Sequence, residues 1–358
     1  MRIIMLVDMD YFYVACEELR RPEIKGKPAV VGADPKKGSG RGVVMTCNYP
    51  ARKFGIRSGM PISTAYRIKP DAIFIQFDFD YYDEVSAKVM KVIESHADKF
   101  EQVSVDEAFI DVSKKAGDYA KAKTLAEKIK EEIRESIGLQ CSIGISYNKL
   151  LAKMVCETVK PNGIGIVTEQ EAKEFLEDKD LLELYGVGGK TKDKLVAAGY
   201  NTIGDLSRAN VMDLHTMLGA YGVEIHNNAN GRDDSKVEEN RDARSISREA
   251  TFEEDTSDEN EVLKKIRVLA EGVSHDVDAK KLSFKVVTLK IRYDDFTENL
   301  KSMSIRRTNK LDDMVRASYS LFHNSFLRGK KVRKLGVRVS DLIHFKGQKT
   351  LGEFGKAH

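Results

Sequence analysis

The period of hydrophobic positions changes several times along the chain. Residues 3–7, Ile-Ile-Met-Leu-Val, are an unbroken apolar run, the pattern of a strand buried on both faces. Residues 101–105 and 108–112 alternate polar and apolar side chains, as two strands folded at a tight point. Helical spacing runs through 82–100, with Val85, Val89, Val92 and Ile93 on one face, through 119–137, and through 148–159. Residues 141–145 read as a further strand, and 28–32 and 42–46 as short strands in a glycine-rich stretch. Residues 168–232 are mostly helical, and 233–244 are polar without a period, a linker. Beyond it, 245–252, 282–293, 300–308 and 331–339 read as strands, and 259–277 and 311–327 as helices. The expected fold class is multidomain α+β, with one mixed or antiparallel sheet bearing helices on one face and a second α+β module.

Two adjacent carboxylates, Asp106 and Glu107, sit between the paired strands. Held at a turn they repel, so one is protonated unless a cation lies between them, and hard Mg²⁺ prefers carboxylate oxygen. Taken alone, an acidic turn facing solvent explains them as well. Asp8 ends the buried run at 3–7. A carboxylate there, beside a hairpin carrying two more, suits a two-metal site with ions about 4 Å apart. Asp10 is a further candidate, although the aromatic residues after it turn the chain away.

The stretches V-D-M-D-Y-F-Y at 7–13, T-C-N-Y-P-A-R-K-F-G at 46–55, S-V-D-E-A at 104–108 and K-P-N-G at 160–163 resemble, in order and spacing, the Y-family DNA polymerases. The later segments are most similar to their DinB (polymerase IV) branch. The resemblance implies a palm (1–10 and 78–167), fingers (11–77), a helical thumb (168–232), a linker (233–244), a little finger (245–345) and a tail (346–358). It implies template-directed nucleotide addition to a primer, with low fidelity, lesion bypass and no proofreading. Asp8 and Asp106 would bridge two Mg²⁺, for which Mn²⁺ can substitute. Glu107 would join the metal at the primer, and the Met9 carbonyl would complete the other. Thr46, Tyr49, Arg52 and Lys160 would contact the dNTP triphosphate. Phe12 and Tyr13 would lie beside the nucleotide, with Tyr13 as the steric gate against a 2′-OH. Met45 is larger than the small residue expected over the incoming base. A nucleotidyl cyclase with the same metal pair, or an inactive DNA scaffold, are the competing readings.

Composition bounds the partners. The 358 residues carry 59 basic and 56 acidic side chains, a net +3, so any DNA-binding surface must be local. Residues 184–191 resemble a helix-hairpin-helix hairpin, in which Gly186, Gly188, Lys190 and Thr191 would meet primer–template phosphates; a plain helix–helix turn is the alternative. Arg244, Ser247, Arg248, Lys290, Arg292, Arg306, Arg307, Lys331, Arg333 and Lys334 recur on the later strands. If alternate residues share a face, that face is a basic groove beside DNA; otherwise each is a solvated charge. The four cysteines show no C-x-x-C pairing and read as reduced, buried thiols of a cytoplasmic monomer. The opening run is too short for a membrane span. Gln348, Leu351 and Phe354 resemble a sliding-clamp-binding peptide whose second aromatic is missing, Gly355 standing in its place; a frayed terminus accounts for them equally.

Overall fold

The computed structural model describes residues 1–239, 243–327 and 329–344, and the chain divides into two units, residues 1–240 and 241–358. The tail expected at 346–358, including the clamp-binding peptide, lies outside the described residues.

In the first unit the opening apolar run becomes β1 (Ile4–Met9), all six residues buried. It is followed by α1 (Phe12–Arg20), β2 (Ala29–Gly32), β3 (Val44–Cys47), α2 (Tyr49–Arg52), α3 (Ile62–Ile68) and β4 (Ile73–Gln76). Then come α4 (Phe79–Ser95), β5 (Lys99–Gln102), β6 (Glu107–Asp111), α5 (Ser113–Ala116), α6 (Tyr119–Ile137), β7 (Cys141–Ser146), α7 (Lys149–Thr158) and β8 (Ile164–Ile166). A five-stranded sheet has the order β5-β6-β1-β7-β8, antiparallel except for β7 with β8. Strands β3-β2-β4 form a separate small sheet.

Side-chain alternation gives β1 two different neighbours. Met5 and Val7 join Ala108, Ile110, Ile143 and Ile145 in a core completed by Val89 and Ile93 of α4 and Ile129 and Ile133 of α6. Ile4 and Leu6 join Phe109 and, from α7, Ala152 and Cys156. The sheet is therefore covered on both faces, not one, as an uninterrupted apolar strand requires. The helical period expected over 82–100 stops at Ser95, because Asp98 N–H already bonds Asp111 and Phe100 is paired to Ile110 in β5. Five short helices follow, α8 (Ala172–Glu177), α9 (Gly189–Ala197), α10 (Ile203–Arg208), α11 (Val211–Leu218) and α12 (Ala220–Ala229). They pack around Leu150, Leu151, Met154 and Val155 of α7. Val237 is buried with Ile4 and Leu6, so part of the polar stretch 233–239 is bound to the sheet.

The second unit is β9 (Ser245–Thr256), α13 (Glu259–Ala279), β10 (Leu282–Tyr293), β11 (Glu298–Thr308), α14 (Leu311–Ser325), β12 (Val332–Ser340) and β13 (Ile343–His344). Its main sheet has the order β11-β10-β12-β9. Val287, Leu289, Ile291, Leu335, Val337 and Val339 face α13 and α14, leaving the other face of the sheet open. Among the described residues no helix is long and apolar enough to cross a membrane. All four cysteines are free and buried.

Helix α7 lies against β7 because Gly144 has no side chain. A Cβ there would stand 2.0 Å from the Ala152 carbonyl oxygen and 2.4 Å from the Cys156 nitrogen. Gly144→Ala should therefore cost about 3 kcal/mol or more in denaturant unfolding. A loss under about 0.5 kcal/mol, the range of neutral surface changes, would show that this approach is not required.

Candidate active site

The antiparallel register sets Asp8 directly opposite Glu107 and Leu6 opposite Phe109. Opposite residues share a face, so both carboxylates lie on the side covered by α7, with their Cβ atoms about 5 Å apart. Asp106 precedes Glu107 in the turn out of β5. Its carbonyl accepts the Met9 N–H at 2.9 Å and its carboxylate accepts the Ser104 hydroxyl at 2.6 Å. The pair expected together at a hairpin tip is thus split: Glu107 opens β6, and Asp106 is tied to the end of β1.

Three lysines of α7 and the turn after it meet three sheet carboxylates. Lys149 reaches Glu101 at 2.7 Å, Lys153 reaches Glu107 at 2.6 Å, and Lys160 reaches Asp8 at 2.8 Å. Asn148 caps α7 by accepting the Leu151 N–H, which fixes the phase of the helix. Burial pushes the Asp8 carboxyl up from 3.8 to about 7, and Lys160 offsets this only in part. Burial works against the Lys153 ammonium, but Glu107 outweighs it and holds its proton more tightly than usual. With side chains so engaged, no three His, Cys, Asp or Glu groups converge on one point among the described residues. The donor set nonetheless fits a hard divalent cation: two opposed carboxylates and a third beside them, with ammonium groups meeting two of them where positive charge is required.

Asp10 is not part of that set. It is buried, accepts the Ser142 hydroxyl at 2.9 Å and the Asn162 N–H at 2.7 Å, and so anchors the turn that carries Lys160. Lys130 holds the same turn through the Asn162 carbonyl at 2.6 Å.

Of the expected nucleotide contacts, Lys160, Tyr49 and Tyr13 lie close to Asp8, Asp10 or Asp106. Tyr11, left-handed at φ 40°, turns β1 into α1, whose first N–H groups have no side-chain cap. Its ring meets Tyr49 edge-on at 5.4 Å, and the Arg52 guanidinium lies 4.8 Å over Tyr49. Burial raises the Tyr49 phenol, and Asp10, Arg52, Lys160 and Asp8 are all close enough to act on it. Tyr13 is half-buried against Tyr82, rings 4.8 Å apart; Tyr82 in turn donates to the fully buried Glu17 at 2.8 Å. Burial and then Asp106 raise the Tyr13 phenol. Thr46 is half-buried on β3, paired with Val31. Phe12 is only 1% exposed and packs in the core, so it offers a nucleotide its main chain alone.

Gly186 and Gly188 are exposed in the turn before α9, with Lys190 exposed and Thr191 half-buried in its first turn; Gly186 has φ +98°, and a Cβ at Gly188 would meet nothing within 4 Å. In the second unit the basic residues divide. Lys290, Arg292 and Lys334 share the open face, where Ser247 stands opposite Arg338. Arg248 instead lies on the helix-bearing face, beside Gly272 and 2.9 Å from Asp276 of α13. Arg307 is bound to Asp341 at 2.7 Å, and Arg333 stacks 4.6 Å over Phe296. Arg306 lines a groove with Met303 and Arg316. Arg244 and Lys331 are exposed at strand starts. The sequence reading missed Lys153 and Arg338. Lysines at 149 and 153, one helical turn apart, are the signal that could have found the first.

A model of the impB/mucB/samB family matches residues 7–157, and a model of that family's C-terminal domain matches 243–352. The chain is 41% identical over 341 residues to a DNA polymerase IV of Methanoculleus marisnigri, covering 95% of this chain and 94% of that one. It superposes on a Y-family DNA polymerase chimera, Dbh-Dpo4(243-245)-Dbh, with a TM-score of 0.87 at 30% identity, covering 96% of this chain and all of that one. An insertion ternary complex of Dbh DNA polymerase gives a TM-score of 0.70 at 29% identity over the same 96%.

Because Asp8 is raised from 3.8 to about 7, the folded chain binds this proton more tightly than the unfolded chain. Its contribution to stability is full below pH 4 and is lost as pH rises toward 7. In chelator at pH 8, Asp8→Asn should unfold at higher temperature than the parent, a gain of up to about 4 kcal/mol that narrows by pH 5. A variant less stable than the parent at pH 8 would mean that the Lys160 pair outweighs burial.

Proposed function

This chain belongs to the impB/mucB/samB family as a DinB-type Y-family DNA polymerase, and we propose that Asp8, Asp106 and Glu107 are the centre at which it joins a nucleotide to a primer. It is a template-directed translesion polymerase, and dependence on a divalent metal comes with that membership. The observation that carries the assignment is the register placing Asp8 against Glu107 with lysines as their counter-charges.

Asp8, Asp106, Glu107 and the Met9 carbonyl would hold two Mg²⁺. When bound, the ions would make the primer hydroxyl more acidic and stabilise charge building up on the phosphoryl group. The chain's own groups do the rest. Lys160 is held by a turn fixed at Asp10 and Lys130, so its ammonium can pass from Asp8 to a triphosphate oxygen without the backbone moving. Arg52 commits Nε to the Cys47 carbonyl at 3.1 Å, and its terminal nitrogens remain as donors for phosphate, with Tyr49 and Thr46 beside them. The uncapped start of α1 adds main-chain N–H groups from Phe12 and Tyr13. Tyr13, packed against Tyr82, would lie under the sugar and exclude a 2′-OH.

Primer–template DNA and dNTP are the partners this reading requires. In this reading residues 1–10 and 78–167 would be the palm, 11–77 the fingers, 168–232 the thumb and 245–345 the little finger. The glycine turn before α9 and the open sheet face of the second unit would each meet DNA phosphates, which position a duplex without reading it.

Asp106→Ala should reduce single-turnover primer extension about 10³-fold or more while duplex binding persists. Extension near the parent rate would remove Asp106 from the metal set. Tyr13→Ala should raise ribonucleotide incorporation relative to dNTP by about 10²-fold, the size of roughly 3 kcal/mol of relieved clash. An unchanged ratio of the two kcat/KM values would leave Tyr13 a packing residue.

A further inference from the structure

The open face of the second unit's sheet is not simply basic. Cross-strand register lays it out in three rows. Glu298, Arg292 and Lys334 form the first. Leu300, Lys290, Gly336 and Glu249 form the second, and Ser302, Thr288, Arg338 and Ser247 the third. Two carboxylates thus stand among four cations. Glu249 lies across Gly336, where an added Cβ would come 2.9 Å from its Cγ. From there it reaches Lys290 at 3.4 Å and pairs with Lys334. Glu298 also reaches Lys290 at 3.4 Å and bonds Arg292 Nε at 2.7 Å. Lys290 is therefore held between two glutamates, and among the described residues Arg338 has no carboxylate partner.

Glu249, Lys290, Glu298 and Arg338 line a groove of about 250 Å³ with Leu300, 60% exposed, on its wall. An exposed leucine and serines between cations offer a phosphodiester backbone little besides charge. The charge is what the glutamates withhold.

We propose that Glu249 and Glu298 are internal competitors for DNA phosphate, holding Lys290, Arg292 and Lys334 on the sheet and so weakening the grip on duplex DNA. This rests on the reading that the open face meets DNA. The physical argument is an exchange. A phosphate arriving at Lys290 must displace carboxylates that stay within a few ångströms of it, and like charges brought together oppose binding. A displaced glutamate also takes up a cation from solution, which offsets about one of the counterions that DNA releases. The face binds and lets go, with Arg338 as the cation that needs no release.

The test is DNA affinity of the full-length protein across a salt series, with primer–template duplex as the probe. Glu249→Gln with Glu298→Gln should bind about tenfold tighter at 0.1 M salt, with a log–log slope steeper by about 1 to 2. The control, Glu261→Gln with Glu271→Gln on α13, makes the same change in net charge on exposed helix positions and should shift affinity less than twofold. Equal effects in the two pairs would overturn the proposal, since net charge alone would then account for them. Lys290→Ala with Arg338→Ala separates the proposal from the reading beneath it. If that variant binds more weakly but the glutamine pair is no tighter, the face meets DNA and the competition is refuted. If neither pair changes affinity or slope, the face does not meet DNA and both fall.

Discussion

The register of β1 on β6 sets two carboxylates against each other on a covered face, and much of the first unit answers that constraint. Like charges directly opposite on antiparallel strands destabilise the pair, and a buried ion without a partner costs several kcal/mol. Helix α7 supplies the opposing charge. It can do so because Gly144 admits it, Asn148 fixes its phase, and Lys149 and Lys153 fall one turn apart on the sheet side. The turn after α7 extends the series to Asp8, and buried Asp10 sets that turn in place. The compensation is incomplete at Asp8, whose carboxyl still favours its proton. In the proposed function, these ammonium groups hold the place that divalent cations would take.

Much of this was legible in the sequence. The helix at 119–137 and the strand at 282–293 appear with the expected bounds, and the apolar run at 3–7 as the core of β1, because local pattern and tertiary burial agree there. The acidic trio and the aromatic turn after Asp10 were visible as residues. Their mutual placement was not, since the pairing of position 8 with 107 is a long-range register that no local period encodes. The same holds for α7: its helical period was plain, but nothing local marks Lys149 and Lys153 as partners of carboxylates on other strands.

The second unit shows a different limit. Strict alternation would put every second basic residue on one face. Irregularities between Phe284 and Val286, between Arg292 and Tyr293, and between Val332 and Lys334 break that count. Arg307 and Arg333 lie next to these shifts and take partners just beyond strand ends, Asp341 and Phe296, while Arg338, in regular register, stays on the open face. A bulge re-aims side chains in a way composition does not announce.

In the proposed function, lysine and metal ions serve the same carboxylates in turn. Scanning calorimetry against Mg²⁺ concentration at pH 8 tests it most directly, because a ligand of the folded state raises Tm in proportion to its binding free energy. The account predicts that Tm of the parent protein climbs with Mg²⁺ and that Glu107→Gln, which keeps the shape but removes the charge, loses most of that rise. An equal Mg²⁺-dependent rise in the variant would contradict it.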